Sequence, residues 1–236
     1  MRKYEIVVLS KGAYARTVRI YSNKHADRAV VFHDGKSVFE GDGGLHAIEL
    51  VRSVKAKNVA VVAIDCVSTD DYIPFAVEND DAHAGGKTDE YRDFILQTLI
   101  PYLDRRFKFD FYAMAGIGLS AAATLYIAAS KSERLRAYGL FSTPLFFCPR
   151  AFDEFLSGAS FDKSALYSVY TGGSERPDGL PEQISQAFVS DSFKTVNALR
   201  LSGVKDLTFS LDNLGTYDNS SRLPHIKKFI TDFNSL

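Results

Sequence analysis

The sequence predicts an α/β fold: a mostly parallel central sheet of about eight strands with helices on both faces. Three observations carry this. An opening hairpin pattern is followed by strand-like and helix-like segments in strict alternation; the later strand-like runs are short and apolar throughout, as in strands buried on both faces; and no repeat, low-complexity tract or linker interrupts the order. Residues 1–236 are accordingly read as one domain.

The elements follow in chain order. KYEIVVL (3–9) and RTVRIYS (15–21) flank the turn signal Lys11-Gly12 and read as an antiparallel hairpin. RAVVFH (28–33) and NVAVVAID (58–65) are apolar runs, and between them Leu45, Ile48, Val51 and Val54 recur at helical spacing across 44–57, which makes a βαβ unit. A helix is predicted over about 88–107, a strand at 109–117, an alanine-rich helix at 119–130 and a strand at 136–142. Then come a helix near 149–156, a strand at 165–171, a helix over 181–201, a strand at 206–211 and a closing helix at 223–233. The longest irregular stretches, 67–87 and 172–180, follow strands at their carboxyl ends, where open α/β sheets bind ligands.

Composition excludes several classes. Hydrophobic residues make up 46% and charged residues 24%, enough apolar surface for an ordered core. With 28 basic and 29 acidic side chains intermixed, nothing marks a nucleic-acid or anionic-membrane partner. No apolar run approaches the about 20 residues of a membrane span. The start, Met1-Arg2-Lys3-Tyr4-Glu5, lacks the pattern of a secretion signal. Cys66 and Cys148 have neither disulfide-scaffold nor metal-ligand spacing, and His33, Asp34 and Asp65 sit on adjacent strands without ligand spacing. A soluble cytoplasmic protein without metal or cofactor is expected, and a homo-oligomer is compatible with the sequence.

Four segments together resemble the putative esterase family of α/β-hydrolases, which includes enterochelin esterases and esterase D-like enzymes. Ala15-Arg16-Thr17-Val18-Arg19-Ile20-Tyr21 is similar to the family's second strand, and His33-Asp34-Gly35-Lys36-Ser37-Val38-Phe39 to its HDGQNLF loop. Thr69-Asp70-Asp71-Tyr72-Ile73-Pro74-Phe75 resembles RRDEYTPF, and Gly85-Gly86-Lys87-Thr88-Asp89-Glu90-Tyr91 resembles the start of GGKGDEYLDFI. The resemblance covers nearly the whole chain and implies an α/β-hydrolase fold with a Ser-His-acid triad.

Such a triad needs its nucleophile on a tight strand-to-helix turn, G-x-S-x-G, where small neighbours let the hydroxyl stand clear at the helix N-terminus. Here the stretch reads Ala115-Gly116-Ile117-Gly118-Leu119-Ser120-Ala121-Ala122. In the register that resembles the family without a gap, Gly118 occupies the nucleophile position. In the purely local register, Gly118-Leu119-Ser120-Ala121-Ala122 reads as G-x-S-x-A, with Ser120 as nucleophile. The resemblance puts Leu214 at the position of the histidine; His225 is the nearby alternative base. His25, His33, His46 and His83 read as structural or solvated. Tyr170-Thr171-Gly172-Gly173-Ser174-Glu175 resembles the acid turn, making Glu175 the orienting carboxylate.

Backbone amides of Leu119 and of the Gly35-Lys36 turn could form an oxyanion hole irrespective of side chains. Phe141, Phe146, Phe147 and Phe152 could line an apolar pocket or simply pack the core. Two functions remain open. One is a pseudoenzyme with a degenerate triad, Gly118, Glu175 and Leu214, that binds a small ester, acyl or glycosyl ligand or a protein partner in the inherited cleft. The other is a serine carboxylesterase acting on small acyl esters through Ser120, His225 and Glu175 or Asp218.

Overall fold

The computed structural model describes residues 4–40, 44–79 and 82–236. Met1-Arg2-Lys3, where a secretion signal would begin, and the side chain of His83 lie outside the described part. β1 (Glu5–Lys11) and β2 (Tyr14–Tyr21) form the expected hairpin. β3 (Arg28–His33) leads into a short helix, α1 (Gly35–Phe39), then α2 (Ala47–Ser53) and β4 (Val59–Ile64). The stretch after β4 carries a 3-10 turn (Thr69–Asp71) and a two-stranded sheet of β5 (Val77–Asn79) and β6 (Ala82–Ala84).

Next, α3 (Thr88–Phe94) passes through a π-helical turn (Ile95–Leu99) into α4 (Ile100–Phe107). Pro101 explains the break in what the sequence predicts as one helix. It offers no N–H to Gln97 and its ring crowds that carbonyl, so the backbone rewinds by one residue. β7 (Phe111–Ile117), α5 (Leu119–Ala128), β8 (Leu135–Phe141), α6 (Pro149–Gly158), β9 (Leu166–Ser174), α7 (Ile184–Leu201), β10 (Asp206–Thr216) and α8 (Asn219–Asn234) complete the alternation.

The eight-stranded sheet has the order β1-β2-β4-β3-β7-β8-β9-β10, antiparallel only at β1–β2 and β2–β4. This is the α/β-hydrolase arrangement, with β7 in the middle of the sheet. The apolar strands feed two cores. On one face Met114, Tyr138 and Val169 pack under α3–α7, with Phe94, Leu125 and Val196 among the buried side chains. On the other, Val30, Val61 and Ala113 meet Leu50, Val51, Phe229 and Phe233 from α2 and α8.

Two boundaries differ from expectation in ways that matter for function. β10 runs on through Thr216, so Leu214 stands on a strand and not in a loop. α8 starts at Asn219, ahead of the Leu223-Pro224 pair, because the Asp218 carboxylate caps it, accepting from Ser221 N at 2.9 Å and Ser220 Oγ at 2.6 Å. Those hydrogen bonds hold the Asp218 carboxyl far below the usual range. The connection between β10 and α8 is therefore only Tyr217-Asp218.

Candidate active site

The elbow is built where β7 meets α5. Gly118 has φ 61° and ψ −132°, a conformation that side-chain-bearing residues rarely adopt and that places this residue at the tip of a sharp turn. Its N–H is pinned to Phe141 O of the neighbouring strand at 2.9 Å, and its carbonyl accepts from Ala121 N at 2.8 Å. Gly116 makes the turn tight: a Cβ there would overlap the backbone of Ser120. The backbone thus forms a nucleophile elbow with its apex at Gly118.

Ser120 sits one turn into the fold of that elbow. It is 2% exposed, and its Oγ accepts from Ile117 N at 3.0 Å while donating to Ile117 O at 2.9 Å. Both hydrogen bonds tie the start of α5 back to the last residue of β7, a local side-chain-to-backbone role for a serine. His225 lies within α8 with its ring stacked on Tyr170 at 4.3 Å, and burial lowers its pKa. No hydrogen bond among the described residues joins Ser120 to His225.

The side chain that reaches the elbow from the β10–α8 connection is Tyr217, for which the sequence gives no signal. A Cβ on Gly118 would overlap the Tyr217 hydroxyl, so the phenol oxygen fills the place of a nucleophile side chain. The ring is held by the Arg222 guanidinium, 4.1 Å from its centroid, and by Phe188 at 5.5 Å. Burial is the main cause of a raised Tyr217 pKa, partly offset by the Arg222 charge, so the phenol stays protonated. Leu214, by contrast, is 86% exposed on the edge strand.

Glu175, the acid expected from the sequence, follows β9 directly. It is fully buried, its Oε1 accepting from Ser142 Oγ and from Gly172 N, the latter at 3.0 Å. Ser142 in turn accepts from Arg222 Nε at 2.8 Å, so a hydroxyl links a guanidinium to the carboxylate. Arg222 is 4% exposed. Glu175 Oε2 and one terminal nitrogen of Arg222 have no hydrogen-bond partner among the described residues. Burial raises the Glu175 pKa, opposed by the Ser142 and Gly172 hydrogen bonds and the Arg222 charge.

The other expected residues fall as follows. Leu119 opens α5, so its N–H points out of the helix beside the elbow. Gly35 is buried against Asp65, and Lys36 is exposed; they start α1 and do not form a free turn. Asp34 precedes them at φ 55°, its Oδ1 accepting from Tyr72 Oη at 3.2 Å, with burial raising its pKa. Of the four phenylalanines, Phe141 and Phe152 are core, Phe147 is partly exposed, and Phe146 meets Phe188 at 5.1 Å, linking it to Tyr217. His33 is core as well, bonded to Tyr91 Oη at 2.6 Å and Thr124 Oγ1 at 2.9 Å. Among the described residues no group of His, Cys, Asp and Glu could hold a metal ion, and no helix is long and apolar enough to cross a membrane.

The Esterase family model, described as Putative esterase, matches residues 14–174, and the chain belongs to this family. No curated protein matches the sequence. Among solved structures, an IroE-like serine hydrolase from Shewanella oneidensis is similar with a TM-score of 0.80 at 16% identity, covering 98% of this chain and 80% of that one. The siderophore hydrolase EstB from Aspergillus nidulans gives 0.72 at 16% identity over 99% and 96% of the two chains. The enterobactin esterase FES from Shigella flexneri gives 0.71 at 13% identity over 98% and 59%. At these identities the likeness shows the α/β-hydrolase fold.

Proposed function

We propose that this chain is an esterase-family protein without ester-hydrolase chemistry, which binds a small ester, acyl or glycosyl molecule in the cleft around its elbow. One observation carries the reading: the residue at the strained apex is Gly118, and the Tyr217 hydroxyl lies where a serine side chain would project. Acyl transfer needs a nucleophile beside a base, and the base beside an orienting acid. Ser120 is engaged by the Ile117 backbone, and Glu175 is engaged by Ser142 and Gly172, with Arg222 behind Ser142. A phenol kept protonated by burial, without an imidazole hydrogen-bonded to it, is a poor nucleophile at neutral pH.

The siderophore and enterobactin hydrolases that share the fold suggest an oxygen-rich ester or amide as the ancestral ligand. With no membrane-crossing helix among the described residues, a cytoplasmic location remains part of the proposal. The test is turnover of p-nitrophenyl acetate and butyrate by the wild-type chain and by Ser120→Ala. We expect no rate above that of an equal concentration of a non-enzymatic protein, in either form. Wild-type turnover abolished by Ser120→Ala would overturn the reading in favour of a serine carboxylesterase.

A further inference from the structure

A second cluster lies at the opposite edge of the sheet from the elbow. Gly118 stands past the carboxyl end of β7, whereas the segments that lead into β3 and β4 meet at the amino ends of those parallel strands. Asn23 ties the two segments together: its side-chain amide donates to Lys57 O at 3.1 Å, and its side-chain carbonyl accepts from His25 N at 2.8 Å. Asp27 N and Arg28 N both donate to Asn58 O, at 3.1 and 3.2 Å. Between these segments and the end of α2 lies a cavity of about 430 Å³, a size usual for small-molecule sites.

Its lining combines two kinds of surface. Tyr21, Val51 and Ala56 supply apolar wall, the last two nearly buried. Around them stand Lys24, Arg52, Lys55 and Lys57, with His25, and among the described residues no carboxylate lines the cavity. None of these lysines, nor Arg52, forms an ion pair among the described residues, whereas neighbouring Arg28 pairs with Asp27 at 2.7 Å. Glu49 of α2 lines the groove beside Leu223 instead. Charges that are intermixed along a chain of formal net charge −1 are thus gathered, in space, into a concavity of one sign, which focuses positive potential.

The backbone shows that one of these cations is held in a costly conformation. α2 ends with Lys55 N donating to Arg52 O and Ala56 N to Val51 O, the closure whose left-handed residue is usually glycine. Here it is lysine, at φ 56°. A helix C-terminus favours cations, which accounts for the charge of Arg52 and Lys55. It does not account for lysine in glycine's place, nor for Lys24, which comes from the β2–β3 connection. The Arg52 guanidinium lies 5.8 Å from the Tyr21 ring centroid, setting a planar cation beside the apolar wall.

We propose that this cavity binds a small organic polyphosphate, with its phosphates among Lys24, Lys55 and Lys57 and its ring against Tyr21 and Arg52. Ammonium groups neutralise phosphate oxygens, and a guanidinium plane stacks on a ring. An inorganic anion would leave the Tyr21, Val51 and Ala56 wall unused; a neutral ring would leave the cations uncompensated. The site shares no residue with the elbow and does not rest on the proposed function.

The probe is ADP, titrated by calorimetry into the full chain at low salt and mapped by NMR, with pyrophosphate and adenosine as comparison ligands. Saturable binding at one site is expected, with the largest shifts at Tyr21, Arg52 and Lys55. Pyrophosphate and adenosine should each bind about tenfold or more weakly than ADP. Lys24→Glu and Lys57→Glu, at exposed positions, should each weaken ADP binding about fivefold or more. Lys55→Gly separates binding from structure: it relieves the left-handed lysine, so it should weaken ADP binding severalfold without lowering the urea midpoint. Absence of saturation by ADP, pyrophosphate or adenosine binding as tightly as ADP, shifts confined to the elbow, or folded charge-reversal variants binding like wild type would each overturn the proposal.

Discussion

The two ends of the candidate site are built differently. At the β7–α5 end the backbone of a nucleophile elbow is intact, and the side chain it would display is missing. At the β9–β10 end a buried carboxylate, Glu175, is held by Ser142, which Arg222 engages in turn, and the Tyr217 hydroxyl lies beside the apex. Elbow geometry follows from sheet and helix packing, through Gly116 lying against Ser120 and Gly118 bonded to β8, so it does not depend on the chemistry of the apex residue. The relay of side chains has no such support. Fold and chemistry are separable within one site.

The two ends should also answer pH in opposite senses. Under the elbow, burial lowers the His33 pKa to about 3 from an ordinary 6.5. The unfolded chain then binds a proton that the folded chain does not, so stability is full above pH 6.5 and is lost as pH falls toward 3. Between pH 7 and 4 this amounts to roughly 3 kcal/mol. Urea unfolding of wild type and His33→Gln at both pH values should show the difference between them shrinking by that order in acid; a constant difference would mean that His33 titrates normally.

Arg222→Ala comes next in size. It removes a nearly buried guanidinium that donates to Ser142 and stacks on Tyr217, and should cost about 2–3 kcal/mol in urea unfolding. A loss below half of one kcal/mol would show that the Ser142–Glu175 pair does not depend on it.

Gly118→Ser sharpens the comparison at the elbow, because it asks whether the Tyr217 hydroxyl occupies the space a side chain at the apex would need. Strain and overlap should cost about 1–3 kcal/mol, and Tyr217→Ala in the same chain should recover about 1 kcal/mol of that. Strict additivity of the two substitutions would separate the residues.

The smallest expected effect is at Glu175. Its pKa is raised in the folded chain, so the folded state holds the proton more tightly, and this group favours folding below its unfolded value and loses that contribution as pH rises through the folded one. Glu175→Gln should therefore gain stability relative to wild type as pH rises from 4 to 7, the reverse of the His33 trend.

Much of this was legible from residue pattern. Buried strands such as Val59–Ile64 announce themselves as apolar runs, and Gly118 is fixed by the glycine-rich stretch that only a tight turn accommodates. The π-helical turn, α1 and the β5–β6 hairpin are short and set by local backbone bonding, which periodicity does not register. Placing the closing helix at 223–233 missed the earlier cap at Asp218, and with it the two-residue connection that aims Tyr217 at the elbow. Arg222 carries no motif; its role comes from β8, β9 and α8 meeting at Ser142, a relation visible only in space.

The most direct test of the central claim, that the elbow presents no nucleophile, is intact-mass analysis after prolonged exposure to a fluorophosphonate at neutral pH, with peptide mapping of any adduct. The expected result is an unmodified chain for wild type. A stoichiometric adduct on Ser120 would contradict it by showing an activated serine, and one on Tyr217 would contradict it by showing that the phenol has taken over the nucleophile's role as well as its place.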